Sequence, residues 1–181
     1  AARLPIGNEL EQLNIPQLIL MSKVAKELVR VNVDLHTSFH SAVCDELIKL
    51  VPQMEIREIA QACYTLTQNR RSRPLGGSAG PLVRELSKKL HETEDLTGLL
   101  VTDCADVLEC LSSWHLRPIK LLENLGKIVG DRMPEIKYSS NIALWRGITE
   151  SFAMVEYYSC DWMDAVAELC KDAYIVEKIT V

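Results

Sequence analysis

Apolar residues recur at three- and four-residue spacing along most of the chain, which gathers them on one face of an α-helix. After Pro16, whose fixed φ suits a first helical turn, Leu18, Met21, Val24, Ala25, Leu28, Val29 and Val31 keep that period. Asp34 is the predicted N-cap of a second helix carrying Leu35, Phe39, Val43, Leu47, Ile48 and Leu50, which Pro52 ends. These two helices make a hairpin over residues 16–53. A second hairpin, 54–93, begins with Ile56, Ile59, Ala60, Cys63 and Leu66. The stretch from Arg73 through Pro74, Gly76, Gly77 and Gly80 to Pro81 is expected to break the helix, and Leu82, Val83, Leu86 and Leu90 restore it.

A third hairpin, 95–134, starts around Asp95. It pairs Leu99, Leu100, Cys104, Val107, Leu108 and Leu111 with Ile119, Leu122, Leu125, Ile128 and Val129, between Arg117-Pro118 and Met133-Pro134. The fourth, 136–178, pairs Ile142–Tyr157 with Trp162–Val176. Strand alternation is absent apart from an ambiguous tail at Ile179, Thr180 and Val181. The expected fold is all-α: one domain, 1–181, of about four antiparallel helix-turn-helix repeats stacked as an α-solenoid. An irregular helical bundle of the same length is the competing arrangement.

The repeat has a sequence signature. Leu108, Leu111, Trp114, Ile119, Leu122 and Leu125 align with Phe152, Val155, Tyr158, Met163, Val166 and Leu169 at a constant offset of 44. Ala60, Cys63 and Leu66 align in turn with Ala105, Leu108 and Leu111, and Ala25 and Leu28 ahead of Val31 begin the first unit. No single hairpin can bury its own apolar stripe, whereas stacking buries a continuous core.

Composition narrows the function. The net charge of −5 opposes a free RNA reader, because phosphate neutralisation supplies most of such a protein's affinity. Any RNA contact must be local. No apolar run approaches the ~18–20 residues of a membrane span, and the residues that follow Ala1-Ala2-Arg3 show no secretory h-region, an end that removal of a targeting peptide would also leave. Cys44, Cys63, Cys104, Cys110, Cys160 and Cys170 form no CxxC and read as buried free thiols of a reducing compartment.

The run Cys104-Ala105-Asp106-Val107-Leu108-Glu109-Cys110-Leu111-Ser112-Ser113-Trp114, followed by an amphipathic helix and then another such unit as far as Leu169, resembles the helical repeats of organellar proteins. These are the heptatricopeptide and octotricopeptide repeats and the helical region of FAST-kinase-type mitochondrial proteins. The resemblance implies an α-solenoid of the mitochondrial matrix or a plastid that binds RNA or serves an RNA-containing assembly such as a mitochondrial ribosome. This chain departs from the pattern in having only four repeats, in its acidic balance, and in showing no C-terminal RAP module. Those departures favour a scaffold over a stand-alone RNA binder.

The most basic spot is Arg70, Arg71 and Arg73 beside the glycine-rich loop, with Lys88 and Lys89 on the helix that follows. Arginine forks and glycine-exposed amides suit phosphate, so these five residues are the candidate RNA or anion site; a solvated loop is the alternative. The loop lacks the GK[ST] ending of a nucleotide-binding P-loop. His36, His40 and Cys44 share a helix face but stretch over two turns, too far for one tetrahedral zinc ion, and Cys44 reads as core. Glu92, Glu94 and Asp95 read as helix-start carboxylates, Glu46, Glu85 and Glu123 as solvated faces, and His115 as a turn residue with no nucleophile beside it.

Neither a catalytic residue, nor a metal site, nor a cofactor is expected. Trp114, Trp145, Tyr157, Tyr158 and Trp162 concentrate aromatics in the C-terminal half; Trp114 and Tyr158, aligned at one repeat position, read as inter-helix core, whereas Trp145, beside Arg146, is the candidate protein-contact anchor. The expectation is a non-catalytic scaffold or adaptor subunit of an organellar ribonucleoprotein, with protein subunits as its main partners. An accessory subunit of a respiratory complex and a free RNA-binding regulator of organellar transcripts are the alternatives.

Overall fold

Pro52 ends one helix and Pro118 opens another, as the sequence requires, and the helices between such breaks fold back on one another. The computed structural model describes residues 7–31, 33–68, 75, 77–132 and 142–169, with side chains for 9–28, 37–68, 75, 77–132 and 143–168. These residues form α1 (Ile15–Val31), α2 (Val33–Leu50), α3 (Ile56–Leu66), α4 (Ala79–Glu92), α5 (Val101–Ser113), α6 (Ile119–Asp131), α7 (Ile142–Met154) and α8 (Cys160–Leu169). Short 3₁₀ turns occupy Gly7–Gln12 and Val51–Gln53. No strand occurs among the described residues. Met133, Pro134 and the tail from Cys170 onward lie outside them.

The helices form two layers. First helices pack in the order α1, α3, α5, α7 and second helices in the order α2, α4, α6, α8; every extensive helix–helix contact lies within a hairpin or between consecutive hairpins. α3 and α5 run parallel. Arg57 meets Asp103 at 3.3 Å at their N-terminal ends, while at the other end Ser113 Oγ accepts from the Gln68 amide and the Trp114 indole donates to the Leu66 carbonyl. Between the layers lies an aliphatic core that includes Leu47, Ile59, Leu66, Leu86, Leu108, Leu111, Leu122 and Leu125.

Four boundaries differ from the sequence reading. α2 begins at Val33, so Asp34 sits inside the first turn and is not the cap. α4 begins at Ala79 and takes Gly80 and Pro81 into its first turn, where a missing amide breaks no helical bond; Leu82 N–H already reaches the Ser78 carbonyl at 3.0 Å. Leu99 and Leu100 precede α5, with Leu99 buried in the loop. Glu92 ends α4 and Asp95 accepts from the amide and hydroxyl of Thr97, so neither serves a helix start.

The helix boundaries of the last two hairpins correspond at an offset of 41 residues, where the sequence alignment gives 44. Val101 matches Ile142, Ile119 matches Cys160, and α5 and α7 end in the same motif. His115 (φ 53°) and Glu156 (φ 52°) each adopt the left-handed conformation one residue past the cap. Leu116 N–H bonds back to the Leu111 carbonyl at 2.9 Å, and Tyr157 N–H to the Phe152 carbonyl at 3.0 Å. Both are Schellman endings, and in the second the accompanying apolar contact is made by the rings of Phe152 and Tyr157, 5.9 Å apart. In this register Val107 with Ile148, Leu111 with Phe152 and Leu121 with Trp162 are buried pairs, whereas buried Leu108 and Leu122 fall on exposed Thr149 and Met163. Tyr158, 70% exposed, therefore matches Arg117 and not Trp114.

The offset of 45 between the second and third units holds. Glu58 accepts from the Glu55 amide and Asp103 from the Leu100 amide, each at 2.9 Å, as the same N-terminal device. Ala60 with Ala105, Cys63 with Leu108 and Leu66 with Leu111 are buried pairs.

Candidate functional site

Arg70, Arg71 and Arg73 lie outside the described residues. Lys88 and Lys89 lie toward the far end of α4, about 14 Å along the axis from Ala79 at the helical rise. Lys88 is exposed, and half-buried Lys89 donates to the Pro52 carbonyl at 3.3 Å, toward the α2–α3 link. Where the glycine-rich loop returns to α4, Gly77 (φ 61°) sits over Ser41, whose Oγ accepts from the Ser78 amide at 3.2 Å. That end of the loop is a structural anchor on α2.

Trp145 is half-buried against the core and stacks on buried Trp162, with ring centroids 5.1 Å apart and planes 19° apart. One of its faces is thus spent inside the fourth hairpin, joining α7 to α8. His40 and Cys44 meet inside α2, with Sγ 3.7 Å from Nδ1. Burial, with Lys26 nearby, pushes the His40 imidazole down to about 4, while burial, with Asp45 nearby, pushes the Cys44 thiol up to about 12. His40 Nε2 is buried without a hydrogen-bond partner. The His36 side chain lies outside the described residues, and among those residues no group of three His, Cys, Asp or Glu side chains is placed to hold a metal ion.

Four of the cysteines are buried free thiols; Cys160, at the start of α8, is exposed. Cys110 lies against Cys63 between α5 and α3, and that hydrogen bond and burial raise its thiol far above the ordinary range. Such thiols are inert packing groups.

A different feature draws chemistry together, on the outer face of the first-helix layer. A cavity of about 270 Å³ opens where three helices meet: Pro16, Ile19, Leu20 and Lys23 come from α1, Gln61, Tyr64 and Thr65 from α3, and Asp106 from α5. Its floor is fixed by a buried hydroxyl pair. Thr65 Oγ1 donates to the Ala62 carbonyl at 2.8 Å, so Ser22 Oγ, 2.9 Å away, must donate to Thr65. Tyr64, 49% exposed, lies within cation–π reach of two lysines, with Lys23 Nζ 5.5 Å and Lys26 Nζ 5.9 Å from the ring centroid. Lys26 also reaches the Tyr64 carbonyl at 3.4 Å.

The opposite edge is acidic. Asp103, Asp106 and Glu109 follow one another at three-residue spacing on α5, on one face. Asp103 is held by Arg57, while among the described residues Asp106 has no hydrogen bond or ion pair. Burial and then the neighbouring Glu109 and Asp103 push the Asp106 carboxyl up to about 7. Glu109 is raised as well, by burial and by Glu150 across on α7, against an opposing pull from Lys26.

Sequence reasoning missed this site because its members come from three helices and each taken singly resembles a solvated position. The available signal was Tyr64, a large aromatic off the apolar stripe that runs through Ala60, Cys63 and Leu66. The arrangement offers an aliphatic and aromatic surface beside an unneutralised carboxylate, with no nucleophile and base brought together. It suits recognition. Comparison of the chain with protein-family models, with curated proteins and with solved structures finds no match in any of the three.

Proposed function

We propose that this chain is a non-catalytic scaffold or adaptor, a short α-solenoid whose first-helix layer receives a protein neighbour. The observation that carries this reading is the pairing of nearest-neighbour stacking with an uncovered patch, Leu20, Val24 and Tyr64, on the layer's outer face. Monomeric proteins tolerate single exposed apolar residues, but apolar surface grouped about a cavity marks a contact site. The resemblance to organellar helical repeats supports a place in a ribonucleoprotein of the mitochondrial matrix, a mitochondrial ribosome first among them. Within it Arg70, Arg71, Arg73 and Lys88 would make the local RNA contacts.

A protein-only scaffold, such as an accessory subunit of a respiratory complex, is the second reading. It draws on the carboxylates Asp106 and Glu109 beside the groove and on the net charge of −5. The test is RNA crosslinking of the protein in its native assembly and in isolation, together with the identity of what copurifies. Crosslinks at Arg70 to Arg73 only within a ribosome support the first reading; absence of RNA from the native assembly overturns it in favour of the second. Crosslinks with the isolated protein identify a free RNA binder and overturn both scaffold readings.

A further inference from the structure

We infer that the trough beside Tyr64 docks a segment of a partner protein that presents aliphatic side chains and an arginine or lysine on one face. The inference rests on the scaffold reading and names the chemistry of the partner. Pro16, Ile19 and Leu20, the last 60% exposed, give the trough its aliphatic wall, and exposed Val24 stands one helical turn beyond Leu20 on α1. At about 270 Å³ the cavity falls below the range of sites for drug-sized ligands and matches the insertion of a few side chains from a larger partner.

Charge decides the rest. Asp106 stands at the trough edge, partly desolvated and without an ion pair among the described residues, and Glu109 lies one turn further on. Asp103 already has Arg57, so a cation from the partner meets Asp106 and Glu109. A guanidinium or ammonium there would relieve the repulsion between these carboxylates and replace the water that burial has removed. Nucleic acid fits poorly, because its phosphates would face the same carboxylates. The nearest lysines, Lys23 and Lys26, are already drawn over the Tyr64 ring.

The test places a photo-crosslinking benzophenone amino acid at position 20 of the full chain, in the cells that make it, with Lys127 on α6 as the control position. Crosslinked residues are mapped by mass spectrometry. The mapped segment is then synthesised and titrated against the purified protein. Position 20 is expected to join a protein segment with leucine, isoleucine or methionine and an arginine or lysine within two helical turns. Asp106→Asn should weaken that peptide at least tenfold, and Asp106→Glu should restore most of the affinity.

Crosslinks from position 20 to nucleic acid, to a segment without a basic residue, or to nothing while position 127 finds protein would overturn the inference and leave the scaffold reading standing. An unchanged affinity in Asp106→Asn overturns it equally. If neither position meets any protein, the scaffold reading falls with it.

Discussion

The Trp114 indole donates its Nε1 proton to the Leu66 carbonyl at 2.9 Å. Leu66 is the last residue of α3, so its carbonyl has no partner within that helix, and the next hairpin supplies one. The same ring packs against Gly80 at the start of α4, where an added Cβ would stand 3.1 Å from it. One side chain thus joins the second and third hairpins at both layers. Trp114→Phe keeps most of the packing and removes the donor. It is expected to lower the unfolding free energy by roughly 1–2 kcal/mol in urea titration, with an unchanged m-value.

Gly126 and Gly130 form a notch on α6 that receives the start of α8. A Cβ at Gly126 would collide with Ser159, standing 2.7 Å from its Cβ, and one at Gly130 would lie 3.1 Å from the Asp161 backbone. In an open helix, glycine to alanine stabilises by about 1 kcal/mol. Here the sign should reverse. Gly126→Ala is expected to destabilise by roughly 1–3 kcal/mol, while Lys127→Ala, exposed on the same helix, stays within about 0.5 kcal/mol of the parent. Thermal unfolding of the two variants reads the contrast.

His115 and Glu156 hold left-handed backbone that L-residues adopt at a cost of about 1 kcal/mol and glycine adopts freely. Glu156→Gly should therefore raise the melting temperature by a few degrees, since the Arg117 hydrogen bond at this position goes to the Glu156 carbonyl and survives the change. A lower melting temperature would mean that the Glu156 side chain contributes more than its backbone strain removes.

Two groups give opposed pH dependence over the same window. His40 is held neutral to about pH 4, so between pH 6.5 and 4 the unfolded chain binds a proton that the folded chain refuses, and stability falls with acid by up to ~3 kcal/mol. Asp106, raised to about 7, acts the other way: its folded form keeps a proton that the unfolded form loses, so its contribution is present below about pH 4 and is lost as pH rises through 7. Urea unfolding from pH 4 to 8 should show a steeper rise of stability with pH in Asp106→Asn than in the parent. In His40→Leu the rise should flatten or reverse.

Helix positions were legible in the sequence because the apolar period of 3.6 is long-lived here and Pro52 and Pro118 punctuate it. The register between the last two units was not. An error of three residues is close to one helical turn, so Leu108 and Leu111 fall on apolar Phe152 and Val155 at an offset of 44, whereas at 41 Leu111 keeps an apolar partner in Phe152 and Leu108 meets Thr149. The turns would have settled it, but their left-handed positions carry His115 and Glu156 in place of glycine, which leaves no mark in the sequence. The same blindness hid the docking groove. Tyr64 and Asp106 are 42 positions apart in the chain and meet only because parallel first helices bring equivalent faces side by side. The Trp145 stack was hidden as well: its partner Trp162 lies on the other helix of the hairpin, at the position that corresponds to buried Leu121.

The central claim is that the hairpins form a nearest-neighbour stack, in which each unit is stabilised by those beside it. Hydrogen exchange, compared residue by residue between the parent and Gly126→Ala, tests this most directly. The account predicts that protection falls in α6, α7 and α8 while α1 to α4 exchange as before. An equal loss of protection across all eight helices would contradict it and identify a single cooperative bundle.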